Sequence, residues 1–227
     1  MGGYILITIL VSIVGFVVQG RLKSKFSKYS RLAISSRMSG AEIAREMLHY
    51  YGIHDVSIVE GRGMLTDHYN PASKTVSLSP DVYRGASIAA AAVAAHECGH
   101  AVQHAKAYAW LQLRSSLVPI VSIASNLQQY LLMAALGFFG MGGGQTLLLI
   151  TIIAFAITTA FALITLPVEF DASRRALVWL NQARITQGAE QEGAKDALWW
   201  AAMTYVASAL GALVTLVYLI MRFNGND

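Results

Sequence analysis

The 227-residue chain has a single cysteine, Cys98, and only 13% of its residues are charged. One cysteine excludes any intrachain disulfide and gives no sign of an oxidising compartment. So little charge beside 55% hydrophobic residues is unusual for a soluble domain. Charge is missing in blocks. Residues 3–19 carry none, and 146–168 run without interruption by charge. With 117–140 and 197–221 they make four candidate spans, the first of them short against the roughly 20 residues a helical crossing needs. The opening Met1, Gly2, Gly3 and Tyr4 also lack the basic residues of a signal peptide, and no small-x-small cleavage pattern follows. A retained anchor is therefore expected over a cleaved leader. Segment 117–140 is the most polar, with Ser122, Ser125, Asn126, Gln128 and Gln129. It is read as a span whose polar stripe faces other helices; the alternative is that part of it lies in the interface or lines a wet cavity.

The basic residues are unevenly placed. Twelve of the 17 Lys and Arg lie between the first two spans, four between the last two, and Arg222 alone follows the fourth. The linker 140–145 has no charge. The positive-inside rule then puts segments 20–116 and 169–196 in the cytoplasm and both termini outside. Trp110, Trp199 and Trp200 fall near the cytoplasmic ends of spans, as interfacial aromatics do.

Against this background His96-Glu97-Cys98-Gly99-His100 stands out. It reads H-E-x-x-H inside an alanine-rich run, 87–105, with strong helix propensity. Residues four apart share a helix face, so His96 and His100 can hold one Zn²⁺. Glu97 lies about 100° round the helix, where it can reach a zinc-activated water as general base. His104 continues the row but sits about 12 Å along the axis from His96, so it is read as a supporting or surface histidine. Cys98 points away from the row and is read as packing.

A catalytic zinc needs a third protein ligand. The nearby third histidine of the metzincin pattern is absent, since Gln103 and Lys106 occupy the relevant positions. Among the downstream acids, Glu190 and Glu192 sit in a polar stretch and Asp196 precedes a span. Glu169 follows the third span directly and opens a helix; an acid at that boundary needs a partner to offset desolvation. Spans two and three return the chain to the side it left, so Glu169 comes back to the face of His96 and His100. The competing reading pairs Glu169 with Arg174 or Arg175. Asp171 is the alternative ligand, and Ser173, four residues after Glu169, can hydrogen-bond a ligating residue from behind.

The rest of segment 20–116 reads as helix, small sheet, metal helix. Ser39 and Glu42 form a capping box for a helix with Ile43, Met47 and Tyr51 on one stripe, stopped by Gly52. Strands are expected at 55–60, 64–69 and 73–79, the last two joined by a turn at Asn70, Pro71 and Ala72. Ser79 is expected as N-cap of a helix with Pro80 at its first position. The fold class is thus a mainly α integral membrane protein: four spans plus a small α+β, zincin-like cytoplasmic portion, forming one domain over 1–227. The free edge of strand 73–79 is expected to take an extended peptide.

The string His96-Glu97-Cys98-Gly99-His100-Ala101-Val102-Gln103-His104-Ala105, the Ser79-Pro80-Asp81-Val82-Tyr83 lead-in and Glu169-Phe170-Asp171-Ala172-Ser173 resemble the YugP-like neutral zinc metallopeptidases of bacterial membranes, over nearly the whole chain. More distantly the chain is similar to CAAX-prenyl-protease and HtpX-like membrane peptidases, whose glutamate ligand would correspond to Glu169. Their motif continues to an Asp four residues on, where this chain has Ser173. The resemblance implies a zinc endopeptidase of the inner membrane, one Zn²⁺ on His96, His100 and Glu169.

Candidates for a second electrophile are Tyr69, Tyr83, His68, Arg174 and Tyr205. The expected partners are a peptide or membrane-protein substrate and the lipid bilayer, with no nucleic acid. Two other classes remain: a non-catalytic zinc-stabilised membrane adaptor, and an intramembrane protease, against which stand the charged flanks of the metal helix and the lack of Asp inside any span. A transporter would need paired ionisable residues within the spans.

Overall fold

The structure is a computed structural model that describes residues 2–137 and 144–225. Its elements run α1 (Gly2–Ser30), α2 (Gly40–Tyr50), β1 (Ser57–Glu60), β2 (His68–Asn70), β3 (Thr75–Leu78), α3 (Pro80–Tyr83), α4 (Ile88–Ala105), α5 (Ala109–Gly137), α6 (Gly144–Gln182) and α7 (Ala189–Asn224). The chain is mainly helical, and α1, α5, α6 and α7 are long and apolar enough to cross a membrane. The linker expected at 140–145 falls mostly outside the described residues; Gly144 already opens α6.

Two compact units emerge. The first holds residues 1–18, 113–166 and 204–227. Its apolar side chains point outward: Phe16 is 82% and Ile123 65% exposed. Such exposure would drive association in water, and it suits a hydrocarbon solvent. Several internal hydroxyls are tied to the helices' own carbonyls, as Thr151 Oγ1 is to Leu147 O at 2.8 Å and Thr165 Oγ1 to Phe161 O at 2.8 Å. Thr158 also donates to Gln128 Oε1 of α5 at 3.1 Å, so part of the polar stripe on that segment faces a neighbouring helix.

The second unit holds residues 19–112 and 167–203. At its centre lies α4, whose Ala89, Ala90, Ala91, Ala92, Ala94 and Ala95 are all buried. Alanine forms helix readily and keeps the cylinder thin, so neighbours pack close. Against it lie Ile43 and Met47 of α2, Val76 and Leu78 of β3, and Trp179 and Leu180 of α6. Each large side chain buried there contributes about 1.5–3 kcal/mol. Helix α2 begins with the expected capping box: Ser39 Oγ accepts from Glu42 N, and Glu42 accepts from Ser39 N at 2.8 Å. It ends where Gly52 takes a φ of 69°.

Three sequence expectations are corrected. Ser79 does not cap α3 with its side chain; its N–H and hydroxyl both donate to the Asp67 carboxylate, which ties the loop before β2 to the end of β3. The sheet order is β1-β3-β2, with β3 parallel to β1 and antiparallel to β2. The strand expected at 73–79 is therefore central, and both its edges are spent on neighbours. Third, residue 169 does not open a new helix. Helix α6 runs on through Pro167, and α7 starts at Ala189, so Glu190 and Glu192 lie in its first turn, where acids suit the helix dipole.

Within the second unit α1 is fastened to α7. Asp196 Oδ2 accepts from Lys25 Nζ at 2.7 Å and from the Tyr29 hydroxyl at 2.6 Å. Replacing Asp196 with Ala removes two charge-assisted bonds at a partly exposed position, so the expected loss is about 1–2 kcal/mol. Thermal unfolding in detergent should show the midpoint falling by a few degrees, with Asp196→Asn intermediate.

Candidate metal centre

Helix α4 is capped at Ser87, whose Oγ accepts from Ala90 N at 3.2 Å, and it stays regular through the H-E-x-x-H segment. The i, i+4 spacing sets the His96 and His100 rings 4.8 Å apart, nearly perpendicular. Glu169 of α6 meets them. Its Oε2 lies 3.3 Å from His96 Nε2 and 3.6 Å from His100 Nε2. The carboxyl group is 2% exposed as a residue, and one donor atom from each of the three side chains lies within 4.8 Å of the others. Among the described residues this is the cluster that could hold a metal ion.

The donor set fits zinc. Two imidazole nitrogens and a carboxylate oxygen are borderline ligands of the kind Zn²⁺ takes. Bonds of about 2.0–2.1 Å in a tetrahedron put ligand atoms about 3.3–3.4 Å apart, close to the two separations here. The pocket also favours positive charge. Burial alone would lower the His100 imidazole, yet the Glu169 carboxylate, by hydrogen bond and charge, and the Glu97 charge carry it above its ordinary value.

The far nitrogens of both rings are held. Ser173 Oγ, one turn after Glu169 on α6, lies 3.1 Å from His96 Nδ1. Gln103 Oε1 lies 3.0 Å from His100 Nδ1, and Gln103 is fully buried. Its Nε2 donates to Val168 O at 2.8 Å and to Asp171 Oδ2 at 2.9 Å. Glu97 is 8% exposed, on the same helix as the pair.

Other sequence candidates go elsewhere. Asp171 is not in the donor cluster; it accepts from Arg174 and Arg175, the two cations that the competing reading assigned to Glu169. Arg174 is largely exposed. His104 Nδ1 lies 2.7 Å from the Tyr69 hydroxyl, joining β2 to the end of α4. Tyr83 packs against the core, and His68 Nδ1 lies 2.8 Å from Thr66 O. Tyr205 belongs to the first unit. Cys98 is fully buried on the side of α2, and burial pushes its thiol up, which keeps it protonated and unsuited to bind metal.

Two contributors escaped the sequence reading. Gln103 was given no role at the site; its signal is a polar residue one turn after His100 on the buried face. Gly99 is the other. A Cβ there would lie 2.6 Å from Ala172 O and 3.1 Å from Ala172 Cα, so α4 and α6 approach backbone to backbone beside the donor set. Gly99→Ala should push α6 away and weaken zinc binding at least tenfold while leaving the helix content intact. Competitive zinc titration with circular dichroism of the same sample checks this; unchanged affinity would refute it.

With the geometry in place, the chain can be compared with known proteins. No solved structure matches it. A relative from Bacillus subtilis (strain 168), named "Putative membrane protease YugP", is 41% identical over 225 residues, which is 99% of this chain and 98% of the relative. The family model described as "Putative neutral zinc metallopeptidase" matches residues 4–224. The chain therefore belongs to that zinc metallopeptidase family, across both compact units and the whole donor set.

Proposed function

We propose that the protein is a membrane-bound zinc endopeptidase of the H-E-x-x-H plus glutamate type, with His96, His100 and Glu169 holding the metal and Glu97 as general base. The observation that carries it is the convergence of two imidazole nitrogens of α4 and one carboxylate of α6 at near-tetrahedral spacing. Zinc bound there supplies a water of lowered pKa and polarises the scissile carbonyl. The Glu97 carboxylate accepts a proton from the attacking water as the new C–O bond forms. It then gives that proton to the departing amine as the C–N bond breaks, so the cycle ends with Glu97 ionised. Ser173 and Gln103 hold the imidazoles still from behind.

A small sheet beside a histidine-bearing helix supports a zincin-like arrangement. The peptide is better placed along the outer edge of β2, which pairs with no strand among the described residues, than along β3. Main-chain pairing there would suit an extended peptide or a segment of a membrane protein. The distribution of Lys and Arg supports a site facing the cytoplasm, with the termini outside.

Glu97→Gln should retain stoichiometric zinc and lose about 10²–10⁴-fold in peptide turnover. Each of His96→Ala, His100→Ala and Glu169→Ala should lose both metal and turnover. Metal analysis and proteomic cleavage on purified protein decide between this and a zinc-tied adaptor, for which Glu97→Gln would change nothing. Sidedness is open to thiol labelling, because Cys98 is buried and protonated. A cysteine at exposed Ser36 should react with an impermeant reagent only in inverted vesicles. Labelling in intact cells would reverse the orientation.

A further inference from the structure

The two imidazoles of the donor set are supported unequally. Behind His96 stands a hydroxyl, Ser173 Oγ, 3.1 Å from Nδ1. A hydroxyl can donate or accept, so this contact leaves the tautomer of His96 open. Behind His100 stands an amide that has lost that freedom. Gln103 Nε2 faces two acceptors, the Val168 carbonyl at 2.8 Å and the Asp171 carboxylate at 2.9 Å. A carbonyl and an ionised carboxylate can only accept. Turning the amide over would aim its oxygen at both of them, at a position where Gln103 is 0% exposed and a lost bond is costly. The amide oxygen must therefore face His100, and when that ring is neutral its one proton must sit on Nδ1. Its Nε2 lone pair is then left on the side of Glu169, 3.6 Å away.

Resting on the zinc reading of the site, we propose that Gln103 is a positioning residue that sets the tautomer of His100, and that it is itself oriented by Asp171. Asp171 is suited to the task because its carboxylate is itself held in place: Arg175 Nε donates to it at 2.5 Å, and Arg174 donates to its other oxygen. It touches Gln103 and not the donor set. The chain of contacts runs from two arginines through a carboxylate and an amide to one imidazole of the donor set, and Asp171, Arg174 and Arg175 all come from the stretch of α6 just after Glu169. The same short stretch, 168–175, thus offers the carboxylate, holds one histidine through Ser173 and fixes the proton of the other through Val168 and Asp171.

The test reads the metal-free protein as well as the loaded one. In ¹⁵N-histidine-labelled protein in detergent, without zinc and above the imidazole titration range, His100 should show a pure Nδ1–H tautomer. In Gln103→Met, which keeps the volume and removes the amide, that signal should become a tautomer mixture while His96 is little changed. Zinc affinity should fall about 10–100-fold. Asp171→Asn, which keeps shape and frees the Gln103 amide to turn, should produce a smaller fall with the same tautomer mixing, and it serves if Gln103→Met does not fold. A pure Nδ1–H signal at His100 in both variants, or zinc affinity within threefold of wild type in both, would overturn the proposal. Absence of zinc binding by the wild type would instead sink the reading of the site, and the metal-free tautomer would still decide the role of Gln103.

Discussion

The site depends on one close approach. Helices α4 and α6 come together at Gly99 and Ala172 with no side chain between them at the point of contact. Helix pairs usually lie 8–10 Å apart, and the smallest residues are needed for the short end of that range. Gly99 is placed between the two histidines of the motif, and Ala172 is three residues after Glu169. The glycine that costs helix stability, about 1 kcal/mol relative to alanine, therefore sits where a larger residue would part the nitrogen donors from the oxygen donor. Alanines at 89–92 and 94–95 extend the same economy of volume along the rest of α4, toward the sheet and α2.

Close packing creates an electrostatic problem that the local sequence resolves. A buried carboxylate is costly unless charge and hydrogen bonds compensate for lost water. Glu169 has the Nε2 atoms of two imidazoles within 3.6 Å, the other two members of the donor cluster. The elevated His100 imidazole registers that cost: the pocket draws in a proton where it would accept a divalent cation. Acidification should work against zinc for this reason, since protons and metal compete for one lone pair. Asp171, also buried, has a separate solution, because two consecutive arginines reach back to it along the same helix.

What the sequence made legible was whatever depends on spacing along one helix or on long-range composition. The i, i+4 histidines, the capping box at Ser39 and Glu42, the four apolar helices and the return of Glu169 to the histidine pair all follow from such patterns. Ser173 was found the same way, one turn from Glu169. Contacts set by the partner rather than by the segment itself stayed hidden. Gly99 was given no role because its reason, Ala172, lies far along the chain on another helix. Ser79 looked like an N-cap since its neighbour Pro80 suits a first turn, but Asp67 outbid the helix for its hydroxyl. Strand β3 alternates between a partly buried and a fully buried face, yet alternation says nothing about edges, so its central position had no signature.

The residues behind the histidines also bear on how strong a Lewis acid the site would make. In many zinc sites a carboxylate backs a ligating histidine and raises its basicity. Here the group behind His96 is Ser173, a neutral hydroxyl, and behind His100 it is a neutral amide. The one carboxylate nearby, Asp171, is separated from the ring by Gln103 and balanced by Arg174 and Arg175. On the proposed ligation, two neutral imidazoles and one carboxylate leave a divalent ion with a formal excess of one positive charge, and neither backing group reduces it. With zinc bound on these residues, such a site would keep its pull on a water and on a substrate carbonyl, at the cost of weaker donation from its histidines. Holding those histidines rigidly through neutral hydrogen bonds, with charge kept one residue further out, is a way to retain affinity without surrendering acidity.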